Sequence, residues 1–183
     1  VYDFRNERAN PGQRWPLGSD EAYKNIDLLL VDEEEALKLS GKTEIFEAAH
    51  ELIRFGVGAL IITRGALDML VYSTGKLIAK HELASMPVNT YIDDLMRADP
   101  SLRKDTTGCG DNFVGGALVA LATHFNKKGP EQIEMREICA WGATSGGYTC
   151  MYHGGTYHEK EVGEKARLLQ PALEAYRQMT EGM

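Results

Sequence analysis

Cysteine is scarce in this chain. There are three in 183 residues, Cys109, Cys139 and Cys150, an odd number, widely spaced and without a C-x-x-C pair. That excludes a disulfide framework and a paired-cysteine zinc site, and it points to reduced thiols in a cytoplasmic protein. Positive charge is also short. Twenty Lys and Arg stand against 27 Asp and Glu, and the net charge of −7 argues against a general nucleic-acid or membrane-surface binder. No apolar run approaches the roughly 20 residues of a membrane span. The first residues carry no signal-peptide pattern, and repeats and low-complexity tracts are lacking. The initiator methionine is missing too: the chain opens on Val1-Tyr2-Asp3-Phe4, which reads as the end of a strand. What remains is a sequence of ordinary apolar content, long enough for one domain with a core of its own.

The stretch around which the rest is organised runs Arg103-Lys104-Asp105-Thr106-Thr107-Gly108-Cys109-Gly110-Asp111-Asn112-Phe113. Two glycines flank one residue, a carboxylate follows, and an apolar run from Phe113 to Phe125 continues with helical character. This predicts a tight turn opening into a helix. Such a turn aims several N–H groups at one point, where the helix N-terminus adds positive potential, and so suits an oxyanion or a phosphate. Asp111 stands where it could take a proton from a hydroxyl attacking that phosphate. A carboxylate also stabilises the first turn of any helix, so physics alone leaves the cap and the site readings both open. For Cys109, a thiol activated by the helix N-terminus is weighed against a small residue that merely fits the turn, and the second reading is preferred.

Asp105-Thr106-Thr107-Gly108-Cys109-Gly110-Asp111 resembles the D-T-x-G-x-G-D signature of the ribokinase-like (PfkB) carbohydrate kinases, with Cys109 and Asn112 at positions that are often Ala. The resemblance implies an α/β fold: a three-layer α/β/α sandwich with a mostly parallel central sheet and a β-hairpin. Residues 1–183 would be the C-terminal, nucleotide-binding and catalytic portion of a single ribokinase-like domain, the N-terminal part with its lid and most sugar contacts being absent. The resemblance further implies ATP-dependent phosphoryl transfer to a hydroxyl of a sugar or sugar-like small molecule. Asp111 would be the catalytic base, and the backbone of Gly108, Cys109 and Gly110 the anion hole. ATP and Mg2+ would be the cofactors, with a monovalent cation such as K+ beside them. Two alternatives stay open: a nucleoside or vitamin kinase of the same fold, and a catalytically inactive nucleotide-binding fragment. Relatives often form homodimers through lid strands that this chain does not show. Neither nucleic acid nor membrane is expected as a partner.

Along the chain, Asp3 to Arg8 reads as a solvated charged loop. Ile26 to Val31 and Gly58 to Thr63 are apolar runs of strand length, suited to strands buried on both faces. Asp32 with Glu35 has capping-box spacing ahead of a short helix that ends at Gly41. The resemblance places an N-x-x-E motif there and implies that Asp32 and Glu35 act on magnesium through bound water. Thr43 is read as the cap of a helix from Glu44 to Phe55, and Thr63-Arg64-Gly65 as a turn. By resemblance, Thr63 and Gly65 approach the nucleotide, as do Asp105, Thr106, Gly142 and Gly154. Met69 to Tyr72 and Leu77 to Lys80 are expected to pair around Ser73-Thr74-Gly75. Leu83 to Lys104 is expected as an insertion or a surface loop. Gly115-Gly116 inside a helix predicts a close backbone neighbour, because each glycine costs helix stability. A helix is expected from Glu131 to Tyr148, its small-residue stretch Ala140 to Gly147 admitting the base, with Trp141 read as a core residue. His153 and His158 are read as surface residues. Glu161 to Met179 is expected as a closing amphipathic helix.

Overall fold

The computed structural model describes residues 19–129 and 131–183, so the strand end and charged loop read at Val1 to Arg8 lie outside the described residues. Two compact units follow one another, the first ending at Met86 and the second running Pro87–Met183.

The first unit is a small α/β sheet. A 3-10 turn, Asp20–Asn25, leads to strand β1, Leu29–Asp32. Helix α1, Glu33–Ser40, and helix α2, Ile45–Phe55, then cross over to β2, Ala59–Arg64, which lies parallel to β1. Strands β3, Leu67–Ser73, and β4, His81–Met86, add antiparallel neighbours in the order β1-β2-β3-β4. Among the described residues the sheet is therefore mixed, with one parallel and two antiparallel pairs. The reason is connection length: a parallel partner needs a helical crossover, and only β1 and β2 have one, whereas Gly65-Ala66 turns β2 directly into β3.

The hairpin expected around Ser73-Thr74-Gly75 is shifted. Met69 to Tyr72 is in β3, but the return strand is His81–Met86, because Ser73 Oγ donates to the Ile78 carbonyl at 2.8 Å and holds 74–80 as a wide loop. The core of this unit joins Ala36, Ala49, Leu52 and Phe55 of the helices to Val31, Leu60, Ile62 and Leu70 of the sheet. Ile61 and Val71, on the alternate face, are also fully buried, as continuous apolar runs imply.

The second unit is helical. It contains α3, Thr90–Ala98, a 3-10 turn at Pro100–Leu102, α4, Cys109–Lys128, α5, Met135–Thr149, and α6, Glu164–Met179. The segment 83–104 is thus not a plain surface loop: it ends β4 and forms α3, whose Ile92 is buried. Helices α4 and α5 pack along each other with Phe113, Ala117, Ile138, Cys139 and Ala143 buried. Gly116 makes this approach feasible. A Cβ there would stand 2.3 Å from the Trp141 carbonyl oxygen, so the close neighbour expected of the glycine pair is real at Gly116 and lacking at Gly115, which faces open space. Glu137 of α5 takes a bidentate contact from Arg177 of α6 at 3.0 and 2.5 Å and accepts from Trp141 Nε1 at 3.0 Å. Trp141 is therefore pinned to the helix pair, in keeping with a structural Trp.

Candidate active site

In the second unit the signature folds as a glycine turn on the end of a helix. Asp105 starts it: one carboxylate oxygen accepts from Thr107 N at 3.0 Å and from Thr107 Oγ1 at 2.9 Å. These bonds, chiefly the backbone one, hold the Asp105 carboxyl below its ordinary range, and the Gly154 and Thr106 N–H groups act in the same sense. Gly108 then takes φ +78° as the N-cap of α4. Its conformation and its crowding both demand glycine, since a Cβ would lie 2.5 Å from Gly155 Cα. Gly154 and Gly155, far along the chain, are thereby brought against the turn.

Helix α4 starts at Cys109, so Cys109, Gly110 and Asp111 form its first turn, where backbone N–H groups lack intrahelical partners. The Cys109 N–H donates to the Thr106 carbonyl at 3.2 Å. Among the described residues, those of Gly108, Gly110 and Asp111 have no backbone acceptor. Of the three N–H groups expected to form an anion hole, that of Cys109 is occupied, and Asp111 N–H is available in its place. The Asp111 side chain is exposed and makes no hydrogen bond or ion pair within the described residues. The turn can therefore present N–H donors to an anion while the adjacent carboxylate remains free to accept a proton.

Two residues that sequence reasoning did not assign a role complete the arrangement. Asn112 Nδ2 donates to both the Gly108 and the Gly155 carbonyls at 2.8 Å, stapling the turn to the glycine loop. Lys165 of α6 donates from Nζ to Asn112 Oδ1 at 2.6 Å and fixes the amide's orientation. Burial lowers the Lys165 pKa, against an opposing influence from Glu159. Cys109 Sγ lies 3.3 Å from Cys150 Sγ, and burial first, then the Cys150 thiol, push the Cys109 thiol up to about 12. Cys109 is a small, half-buried thiol that fits the turn. Tyr148, Tyr152 and Tyr157 pack against one another at 5.6–6.1 Å and brace the loop that carries Gly154 and Gly155. His153 and His158 are exposed.

Gly142 lies elsewhere. It is buried, and a Cβ on it would be 2.7 Å from the Phe113 ring. With Gly146, whose Cβ would be 2.9 Å from the Cys109 carbonyl, it admits helix α4, not a base.

The first unit gathers its own assigned residues at the carboxyl ends of β1 and β2, the end where open α/β sheets bind ligands. Asp32 and Thr63 are register partners there, and Thr63 Oγ1 donates to the Val31 carbonyl at 3.4 Å. Gly65 follows at φ +64° in the turn, facing open space. Asp32 and Glu35 form a complete capping box: Glu35 N donates to Asp32 Oδ1 at 2.8 Å, and Asp32 N to Glu35 Oε2 at 3.1 Å. Helix α2 is capped by Glu44 and not by Thr43, and makes no side-chain cap bond. Among the described residues no three His, Cys, Asp or Glu are grouped to hold a metal. With one oxygen of each carboxylate engaged in the cap, the pair fits contact through magnesium-bound water.

The pfkB family of carbohydrate kinases matches residues 5–161. A cytidine kinase of Thermococcus kodakarensis is 30% identical over 98 residues, 54% of this chain and 30% of that protein. A fructokinase of Escherichia coli is 29% identical over 119 residues, 64% of this chain and 33% of that protein. The chain thus spans about a third of the length of these relatives. Among solved structures, aminoimidazole riboside kinase of Salmonella enterica, complexed with aminoimidazole riboside and an ATP analogue, superposes with a TM-score of 0.59 at 21% identity, covering 84% of this chain and 44% of that one. That likeness shows the fold, which is ribokinase-like.

Proposed function

The chain belongs to the pfkB family of carbohydrate kinases, and from that premise we propose that the protein carrying it transfers the γ-phosphoryl group of ATP to a hydroxyl of a sugar or nucleoside. The observation that carries the reading is the glycine turn. Among the described residues, unpartnered N–H groups at the head of α4 stand beside an exposed carboxylate, Asp111, that no neighbour neutralises.

In this reading Asp111 accepts the proton of the acceptor hydroxyl as its oxygen bonds to phosphorus. The N–H groups of Gly108, Gly110 and Asp111 face the charge that develops on the phosphate oxygens, helped by the helix N-terminus. Phosphoryl transfer asks mainly for positioning and electrostatic stabilisation, and a rigid turn supplies both. Asp105 and Asn112 supply the rigidity: one shapes the loop before Gly108, and the other staples Gly108 to Gly155. Thr106 and Gly154 are assigned nucleotide contacts on the same turn and loop. Thr63 and Gly65 are assigned theirs at the carboxyl end of β2 in the first unit, and Gly142 is assigned packing alone. Asp32 and Glu35 would hold magnesium through its water shell, and the ion would supply charge neutralisation on the phosphates. A monovalent cation near the Gly154 loop, a cytoplasmic location and a homodimer belong to the same reading.

A sugar and a nucleoside are both admitted as acceptor, since the similar proteins include a fructokinase and a cytidine kinase. The test is Asp111→Asn in the protein that carries this chain, assayed by coupled ADP release over a panel of sugars and nucleosides, with ATP affinity measured separately. Turnover is expected to fall by about 10²–10⁴-fold, the usual size of a general-base contribution, with ATP affinity nearly unchanged. Near-normal turnover in the variant would refute the assignment.

A further inference from the structure

Two thiols 41 positions apart in sequence meet at the glycine turn. Cys109 is the first residue of α4, and Cys150 caps the end of α5. Their sulfurs are 3.3 Å apart, held by a thiol–thiol hydrogen bond. Both sulfurs sit on anchored backbone: Cys109 N donates to the Thr106 carbonyl at 3.2 Å, while the Cys150 carbonyl accepts from Lys104 N at 2.8 Å. The third cysteine, Cys139, is fully buried in α5 and takes no part.

We propose that Cys109 and Cys150 are a redox modification site, at which a small-molecule disulfide such as oxidised glutathione closes a protein disulfide across the head of α4. The chemistry is thiol–disulfide exchange. One protein thiolate attacks the reagent's S–S bond, forming a mixed disulfide and releasing one reagent thiol. The second protein thiol, its proton lost to solvent, attacks the protein sulfur of the mixed disulfide and expels the second reagent thiol. Two protein thiols are oxidised by two electrons, and one reagent disulfide is reduced to two thiols. Bond formation draws the sulfurs from 3.3 Å to about 2.05 Å. Because Cys109 follows Gly108 at the head of α4 and is tied to Thr106 through its N–H, this movement pulls on the glycine turn. The functional consequence rests on the nucleotide reading above: a displacement of about 1 Å at a positioning element can cost on the order of 10²-fold in rate.

The experiment incubates the reduced protein with oxidised glutathione, blocks remaining thiols, and reads intact mass and peptide map, with ATP affinity measured on the same samples. A loss of two hydrogens, a linked Cys109–Cys150 peptide, reversal by dithiothreitol and weakened ATP binding are expected, and Cys139→Ala should behave as the parent does. In Cys150→Ser no disulfide-linked protein peptide should form, and a linked peptide in that variant would overturn the pairing. Wild-type thiols that stay open to alkylation, or that stop at mixed disulfides, would overturn the proposal. So would a linked protein that binds ATP as the reduced one does. A reduced protein without ATP affinity would count against the kinase reading instead, and the mass measurement would still decide the covalent step.

Discussion

Gly115 and Gly116 are neighbours in one helix, yet substituting each by alanine should shift stability in opposite directions. In a helix interior, glycine is about 0.5–1 kcal/mol less favourable than alanine, so propensity alone favours both changes. At Gly115 nothing among the described residues lies within 4 Å of the added methyl, and the gain should appear in full. At Gly116 the methyl would be 2.3 Å from the Trp141 carbonyl oxygen, 2.8 Å from its carbon and 2.9 Å from Ser145 Cβ. The first two are backbone atoms of a packed helix, which cannot swing aside as a side-chain tip can. Overpacking costs about 1–3 kcal/mol, and rigid neighbours put Gly116→Ala in the upper part of that range. After the propensity gain is subtracted, a net loss of about 1–2 kcal/mol remains. The two variants should therefore differ by roughly 2–3 kcal/mol although they are one residue apart. Urea unfolding followed by circular dichroism and tryptophan fluorescence measures this as a shift of the midpoint at constant slope. A Gly116→Ala variant as stable as the parent, or two variants that shift the same way, would refute the packing argument.

Asn112→Ala removes two donors from the Gly108 and Gly155 carbonyls and leaves Lys165 without its acceptor, so a loss of about 1–3 kcal/mol is expected in the same urea assay; an unchanged midpoint would show that the staple is idle. Asp105 has a lowered folded-state pKa, so its contribution is complete above the unfolded value of about 3.9 and is lost as pH falls through the folded one. Asp105→Asn should accordingly flatten the acid limb of a stability–pH curve below about pH 4, and an unaltered limb would contradict that. Asp32→Ala should cost about 0.5–2 kcal/mol through the lost cap, whereas Asp32→Ser keeps a capping oxygen and removes the charge. If Asp32 also acts on magnesium-bound water, the serine variant will keep its stability and need more magnesium for nucleotide binding; the same magnesium dependence as the parent would leave Asp32 a cap only.

Much of the chain was legible because its signals are local. The capping box of Asp32 and Glu35, the end of α1 at Gly41 and the turn into α4 each lie within four residues, and each formed where the sequence placed it. The apolar runs before Asp32 and Thr63 gave a parallel pair, with bounds shifted by up to three residues. The hairpin formed with its return strand moved from Leu77–Lys80 to His81–Met86, because Ser73, a turn residue by composition, spends its hydroxyl on Ile78 and opens the loop. Between Leu83 and Lys104 the prolines and aspartates suggest a surface loop, whereas Thr90–Ala98 is a helix that buries Ile92.

The site divides along the same line. Asp105, Gly108, Gly110 and Asp111 announce themselves within one heptapeptide. The groups that hold this heptapeptide in place do not, because they arrive from 41 to 53 residues away: Cys150, Gly155 and Lys165. No periodicity or motif links a lysine in α6 to an asparagine in α4. The small residues of α5 show the limit most plainly. A run such as Ala140-Trp141-Gly142-Ala143 can make room for a flat ligand or for a second helix, and composition cannot choose between them. The choice here is made by distance, since the space beside Gly142 is already filled by Phe113 and that beside Gly146 by the Cys109 carbonyl. The same glycines that sequence reasoning gave to a nucleotide base therefore bring α5 close enough for Cys150 to meet Cys109, and the glycine turn is held by packing that its own sequence does not encode.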